Sequence, residues 1–310
     1  MPVLNEERHL ADAVRSVLAQ DYRGELEVVV AVGPSRDRTQ DVAEQVAASD
    51  ARVTLVDNPT GRTPDGLNAA LAVARHEIIV RMDGHGELSE GYIERAVRVM
   101  QETGAANVGG VMAAEGQTDF ERAVALSMRS RLGLGSARFH VGGPSGPAET
   151  VFLGVFQRDW LRRVGGYDPA YSRAQDWEMN WRIRQLGGII WFDPELEVTY
   201  RPRPNIRALA RQYFTTGQWR RRVVRQHPTS VSARYLAPPV ALIAVSAGAV
   251  GGIVWRPALL APLGYAVAVT VGGLAMGARK GPAVAVQVPA VLATMHLAWG
   301  AGFLRGTRED

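Results

Sequence analysis

Three long stretches near the C-terminal end, residues 236–254, 257–278 and 281–304, contain no Asp, Glu, Lys or Arg. Each is near or above the ~18 apolar residues that mark a membrane-spanning helix, and soluble core helices of that length without charge are rare. Pro238, Pro239, Pro262 and Pro289 do not argue against insertion, because membrane helices tolerate proline. The mean hydropathy of -0.07 therefore averages two unlike regions. Arg220, Arg221, Arg222, Arg225 and Arg234 lie just ahead of the first stretch, and Arg279-Lys280 lies between the second and third. By the positive-inside rule both belong on the cytoplasmic side, which fits three spans. Two or four crossings are compatible with the same stretches. The chain opens Met1-Pro2-Val3-Leu4 and passes straight into Asn5-Glu6-Glu7-Arg8, with no secretory signal. The part ahead of the spans is accordingly expected in the cytoplasm, on a multi-pass cell-membrane protein.

Ahead of the membrane stretches the pattern alternates between strand and helix. Leu10, Ala13, Val14, Val17 and Leu18 recur at helical spacing behind Asn5, which reads as an N-cap. Leu26–Val32 is a continuous β-branched run, the mark of a strand buried on both faces. Helix is expected over Thr39–Ala48, strand over Arg52–Val56, helix over Gly66–Arg75 and strand over Glu77–Met82. This alternation predicts an α/β domain with a parallel, doubly wound sheet, which binds ligands at the carboxyl ends of its strands. Only Met1–Leu4 precede the first helix, short of the ~5–6 residues of an average strand, as a start codon assigned too far downstream would leave it. A helix-rich middle over 90–131 and a Gly/Pro/Ser-rich loop over 142–147 come next. Strands are then expected at Val151–Phe156, Ile189–Phe192 and Leu196–Tyr200, with a helix at Gln175–Leu186. The resulting division is an α/β domain over 1–204, an interfacial helix region over 205–234 and membrane helices over 235–305.

Composition narrows the chemistry. There is no cysteine, which removes disulfides, thiolate metal sites and cysteine nucleophiles. The net charge of +4 is modest, and Lys280 is the single lysine. Arginine suits bidentate contact with phosphate, although a general bias toward Arg explains the total equally well. No nucleic-acid partner is expected.

Three local patterns carry candidate function. Glu77–Met82 delivers Asp83-Gly84-His85 at a strand end. Asp83 and His85 form a compact ligand pair around a glycine that permits a tight turn. Carboxylate oxygen favours Mg²⁺ or Mn²⁺, which commonly bridge to substrate phosphates, and the imidazole tilts the choice toward Mn²⁺. An isolated Asp-x-His is more often a turn cap beside a surface imidazole. Gln175-Asp176-Trp177-Glu178 opens a helix. Asp176 is a candidate general base, Trp177 a face for a sugar ring, and Glu178 a group to orient an acceptor. An acidic first turn that complements the helix dipole is the common alternative. Finally, Asn205–His227 reads as an amphipathic, Arg-rich helix suited to a membrane interface, with Tyr213, Phe214 and Trp219 at headgroup level. Its Gln and Arg side chains either hold a diphosphate or meet lipid headgroups, or do both.

In order along the chain, these signals resemble the family-2 glycosyltransferases. Pro2-x-Leu4-Asn5-Glu6-Glu7 is similar to the family's opening motif, followed by the Ser35, Asp37, Thr39 turn and Gly66-Leu67-Asn68. Arg81-Met82-Asp83-Gly84-His85 and Gln175-Asp176-Trp177-Glu178-Met179-Asn180 look like the forms found in succinoglycan-biosynthesis-type β-glycosyltransferases. The resemblance spans about residues 1–230. It implies a GT-A fold, Rossmann-like with a mostly parallel sheet, followed by transmembrane helices, and inverting transfer from a nucleoside-diphosphate sugar such as a UDP-hexose. It implies a divalent cation, Mn²⁺ or Mg²⁺, at Asp83 and His85, and Asp176 as catalytic base. Donor contacts would come from Pro2, Glu6, Ser35, Asp37, Asn68, Arg81, Asp83, Gln212, Trp219 and Arg220, and acceptor contacts from Trp177 and Glu178. The Gln212, Trp219, Arg220 spacing is wider than the family's Gln-x-x-Arg-Trp motif. Val32-Gly33 replaces the acidic pair with which many members read uracil. The acceptor implied is a lipid-linked sugar or polysaccharide in cell-surface glycan synthesis, with membrane lipids as further partners. A polyprenyl-phosphate sugar transferase differs only in acceptor, and a non-catalytic membrane glycan-binding protein is the other alternative. A nucleotidyltransferase would need a Gly-rich basic loop where Asn5-Glu6-Glu7 stands.

Overall fold

The computed structural model describes residues 1–307. Two compact units are formed, one from residues 1–113 and 142–200, the other from 114–141 and 201 onward. The sequence-based domain of 1–204 is thus interrupted, because residues 114–141 pack with the C-terminal helices.

The first unit begins with β1 (Pro2–Val3), α1 (Leu10–Leu18), β2 (Val28–Val32), α2 (Thr39–Ser49), β3 (Val53–Asp57) and α3 (Thr63–Val73). β1, β2 and β3 pair parallel, and all five β2 residues are buried. β3 pairs along the whole of β2, whereas β1 reaches only Ala31 and Val32. Alongside Val28 and Val29, facing Ile78–Val80, lies an apolar cleft of about 440 Å³. Asn5 is not the N-cap expected of it. His9 holds that position, while Asn5 takes a left-handed conformation at φ 57°. Its Oδ1 accepts from the Arg36 N–H instead, tying the loop after β1 to the loop after β2.

The unit continues through β4 (Ile78–Val80), β5 (Glu87–Leu88), α4 (Tyr92–Thr103) and β6 (Asn107–Ala114). β6 falls inside the stretch read from sequence as helix-rich. Gly109 and Gly110 weaken its strand signal, yet a side chain on Gly110 would run into the Leu196 and Asp193 carbonyls. Glycine is needed in this strand because its neighbour approaches too closely for a side chain.

In the second unit, Thr118 and Glu121 form a reciprocal capping box that starts α5 (Asp119–Met128). α6 (Arg131–Leu134) and α7 (Arg138–Val141) follow. The chain then returns to the first unit with β7 (Gly146–Pro147), β8 (Phe152–Gln157), α8 (Arg158–Arg163), α9 (Gln175–Gln185) and β9 (Ile190–Tyr200). β9 is one strand where two were expected. The second sheet has the order β4-β8-β6-β9-β5, with β7 beside β9, and its β4–β8, β6–β8 and β5–β9 pairs are antiparallel.

The second unit ends in α10 (Ile206–Gln226), α11 (Ala233–Gly251), α12 (Leu260–Gly277), α13 (Pro282–Ala285) and α14 (Val288–Arg305). Asn205 caps α10 by accepting from the Ala208 N–H. Three helical segments, Ala233–Gly251, Arg256–Lys280 and Pro282–Arg305, are long and apolar enough to cross a membrane. α10 packs on α14, with Gly217 against the Trp299 carbonyl and Gly302 against the Phe214 carbonyl. Small residues at such crossings let helix backbones meet closely. His296 on α14 lies 3.2 Å from the Tyr265 hydroxyl and donates through Nε2 to the Leu132 carbonyl at 2.8 Å, which latches α6 to the apolar helices.

Candidate active site

The site in the first unit is assembled where β4 ends and α9 begins. Met82, after β4, is buried, and the turn over 83–86 closes with the Gly86 N–H donating to the Asp83 carbonyl. Gly84 is required there by crowding. A Cβ on it would lie 2.8 Å from Val3 Cγ1 and 3.1 Å from Glu6 Cγ. That approach sets the turn against the loop after β1, where His85 Nδ1 lies 2.7 Å from Glu6 Oε1. With Nδ1 donating to the carboxylate, the imidazole lone pair is carried by Nε2.

Arg81 occupies the centre. Its side chain is 4 % exposed, with Nη2 3.2 Å from Asp83 Oδ1 and Nε 3.1 Å from Asp176 Oδ1. Burial disfavours the guanidinium charge, but Asp176 and Asp83 outweigh it and hold the pKa above the usual arginine value. Asp176 shows the opposite balance. Burial, with the Asp83 charge adding to it, outweighs the pull of Arg81 and leaves the carboxyl pushed up to about 6. Its Oδ1 is buried, yet the side chain as a whole is 23 % exposed, so the residue still reaches solvent.

The supporting residues are less legible in sequence. Tyr167 is buried beside this cluster, and burial, reinforced by the Asp176 charge, raises its phenol pKa. Asn68 clamps the Tyr167 backbone, donating through Nδ2 to its carbonyl at 2.7 Å and accepting its N–H at 2.8 Å. Asn68, expected as a donor contact, is seen here bracing the Tyr167 backbone. Ser35 and Asp37 likewise hold the loop after β1. Ser35 Oγ accepts from the Asn5 N–H, Asp37 Oδ2 from the Glu7 N–H, and Thr39 Oγ1 from the Glu6 N–H. Pro2 sits in β1, where it is the near neighbour of Gly66 at the start of α3.

Three expectations are corrected by burial. Trp177 is 6 % exposed, so its ring is enclosed and offers no open face to a sugar. Glu178 is 2 % exposed and grips Arg182 with both oxygens, at 2.6 and 2.7 Å, while Arg182 also donates to the Val164 carbonyl. It braces α9 and does not orient an acceptor. Arg81, expected to touch the donor, is turned inward between two carboxylates. Gln212, Trp219 and Arg220 lie on α10 in the second unit. Gln212 accepts from Arg203 Nε, the Arg222 guanidinium stands 5.4 Å over the Trp219 ring, and that of Arg220 stands 4.0 Å over Tyr235.

The first unit has the α/β architecture of a GT-A glycosyltransferase, and the chain carries three helical segments long and apolar enough to cross a membrane. A family model described as glycosyl transferase family 2 matches residues 1–165. The succinoglycan biosynthesis protein ExoA of Rhizobium meliloti (strain 1021) is 31 % identical over 312 residues, spanning 98 % of this chain and 93 % of that protein. Among solved structures, the mannosyltransferase PcManGT from Pyrobaculum calidifontis, in complex with GDP-Man and Mn²⁺, superposes with a TM-score of 0.60. It is 20 % identical and the match covers 100 % of this chain and 86 % of that one, a likeness of fold. The chain belongs to glycosyl transferase family 2 and is a glycosyltransferase.

Proposed function

We propose that the chain transfers a sugar, with inversion, from a nucleoside-diphosphate sugar to a lipid-linked or polysaccharide acceptor in cell-surface glycan synthesis. The observation that carries this reading is the meeting of Asp83 and Asp176, from different elements, on one buried arginine. The relation to a succinoglycan biosynthesis protein supports the polysaccharide context. A UDP-hexose is the donor proposed, with the base read through contacts other than the carboxylate that Val32-Gly33 lacks.

Asp176 takes the proton from the acceptor hydroxyl as that oxygen attacks the anomeric carbon. Asp176 Oδ1 lies 3.1 Å from Arg81 Nε, within ion-pair range but without hydrogen-bond geometry. A carboxyl near 6 is mostly ionised at neutral pH yet basic enough to take part in the transfer.

Among the described residues no group of three or more His, Asp or Glu is arranged as a metal cage. Mg²⁺ and Mn²⁺ are commonly held by one or two side chains and completed by substrate phosphates, so the pair Asp83 and His85 fits such an ion. A divalent cation there would neutralise the departing diphosphate. Glu6, bonded to His85, orients the ring as carboxylates do behind metal-binding imidazoles. The arginines of α10, the helix that carries Gln212, Trp219 and Arg220, are proposed to meet lipid headgroups. The apolar helices are proposed to place the catalytic unit at the cytoplasmic membrane face. A polyprenyl-phosphate acceptor would make the chain a lipid-sugar synthase by the same chemistry.

The test is a screen of nucleotide sugars for donor hydrolysis and transfer, with and without Mn²⁺, on detergent-solubilised protein. Turnover of one donor that depends on both Asp83 and Asp176 supports the reading, and inertness toward all donors refutes it.

A further inference from the structure

We infer that Arg81 is a positioning residue that fixes the general base Asp176 against the donor-side carboxylate Asp83, and does not itself bind the donor. The inference rests on the base role proposed above for Asp176. Nε and Nη2 share one edge of the planar guanidinium, and each meets a different carboxylate, at 3.1 and 3.2 Å. Two acidic groups, one on the turn after β4 and one on α9, thereby face the same edge of one planar cation, Nε lying within ion-pair distance of Asp176 without hydrogen-bond geometry. Lysine, a single mobile point charge, has no equivalent geometry.

Arg81 is itself immobilised. The Arg81 N–H donates to the Gly154 carbonyl of β8 at 3.0 Å. Tyr167 lies close enough to act electrostatically on the guanidinium, and Asn68 fixes the Tyr167 backbone from both sides. A side chain 4 % exposed, with this edge already engaged, is badly placed to meet an incoming diphosphate. It is well placed to set where the base sits. A displacement of the order of 1 Å in a reacting group costs about a hundredfold in rate.

The same geometry balances charge. One cation serves two carboxylates, so it is the partial neutralisation of Asp176 that keeps its titration from climbing further with burial. Loss of Arg81 should therefore move the Asp176 midpoint upward as well as displace the group.

The experiment uses the full chain in detergent, with Arg81→Gln, Arg81→Lys and Asp176→Asn. Binding of UDP and of GDP in the presence of Mn²⁺ is measured directly. Carboxyl titration is followed by infrared difference spectroscopy without substrate, the Asp176→Asn spectrum identifying the Asp176 band. For Arg81→Gln the expected result is a fall in kcat of about a hundredfold, nucleotide affinity close to wild type, and an Asp176 midpoint shifted upward. Arg81→Lys should restore the midpoint toward wild type while leaving most of the rate loss. Weakened nucleotide binding at unchanged kcat would overturn the inference in favour of donor contact, and an unmoved midpoint would overturn it too. If Arg81→Gln does not fold, Arg81→Lys decides: wild-type rate refutes the inference, and a low rate in a protein of unchanged thermal stability upholds it. Wild-type transfer by Asp176→Asn would remove the base reading alone, because the titration, read without substrate, still reports whether Arg81 holds Asp176.

Discussion

Consider the pH dependence of transfer, which follows from the environment of one carboxyl. With Asp176 pushed up to about 6 by burial, the ionised form needed to accept a proton is depleted as the medium becomes acidic. One pH unit below that midpoint roughly a tenth of the molecules remain competent, so kcat should fall about tenfold there and level off above neutrality. Asp176→Asn should lower the plateau by about 10²–10⁴-fold and abolish the acidic limb. Stability should respond in the opposite sense. The folded pKa lies above the 3.8 of an unperturbed aspartate, so the contribution of this group is fully present below that pH and is lost as pH rises through about 6. The apparent Tm of wild type relative to Asp176→Asn should therefore decline across this window. The assay is donor turnover at saturating donor and acceptor between about pH 4.5 and 8, with melting curves in the same buffers. A flat rate profile, or an Asp176→Asn variant with wild-type kcat, would show that this carboxyl is not the base.

Other consequences can be checked separately. Glu178→Ala removes the carboxylate partner of Arg182, which keeps its bond to the Val164 carbonyl, and should destabilise the first unit by about 1–3 kcal/mol, read as a lowered apparent Tm, whereas an acceptor-binding role would raise acceptor KM at unchanged Tm. Gly84→Val pushes the 83–85 turn off Val3 and Glu6, so activity should drop well before far-UV circular dichroism changes; retained activity would show that the turn has slack. Chelation by EDTA should weaken nucleotide binding to wild type and be reversed by Mn²⁺, and Asp83→Ala should be weak with or without chelator. Equal affinity across those four conditions would remove the proposed cation from Asp83.

Much of the candidate site could be named from sequence because its residues are grouped locally. Asp83 and His85 are two residues apart at a strand end, and Asp176 opens a helix with a recognisable acidic turn. What the neighbouring residues do was not legible. Trp177 and Glu178 share the helix start with Asp176, yet helical rotation turns both inward. Tyr167 carries no motif at all, and its place beside Arg81 depends on the Asn68 clamp from an element about a hundred residues earlier. The one clue to Arg81 was its position two residues before Asp83, just past the end of β4.

The three long apolar helices follow from sequence alone, since a stretch of that length without charge has few alternatives in water. The parallel β1–β3 sheet follows almost as directly, because buried β-branched runs alternating with helices admit few topologies. Tertiary structure decided the rest. It made Gly109-Gly110 part of a strand through close backbone approach, moved residues 114–141 into the unit of the apolar helices, and set two carboxylates on one arginine. Each of these depends on contacts between segments distant in the chain, where proximity and loss of solvent, which no local pattern records, determine both geometry and charge.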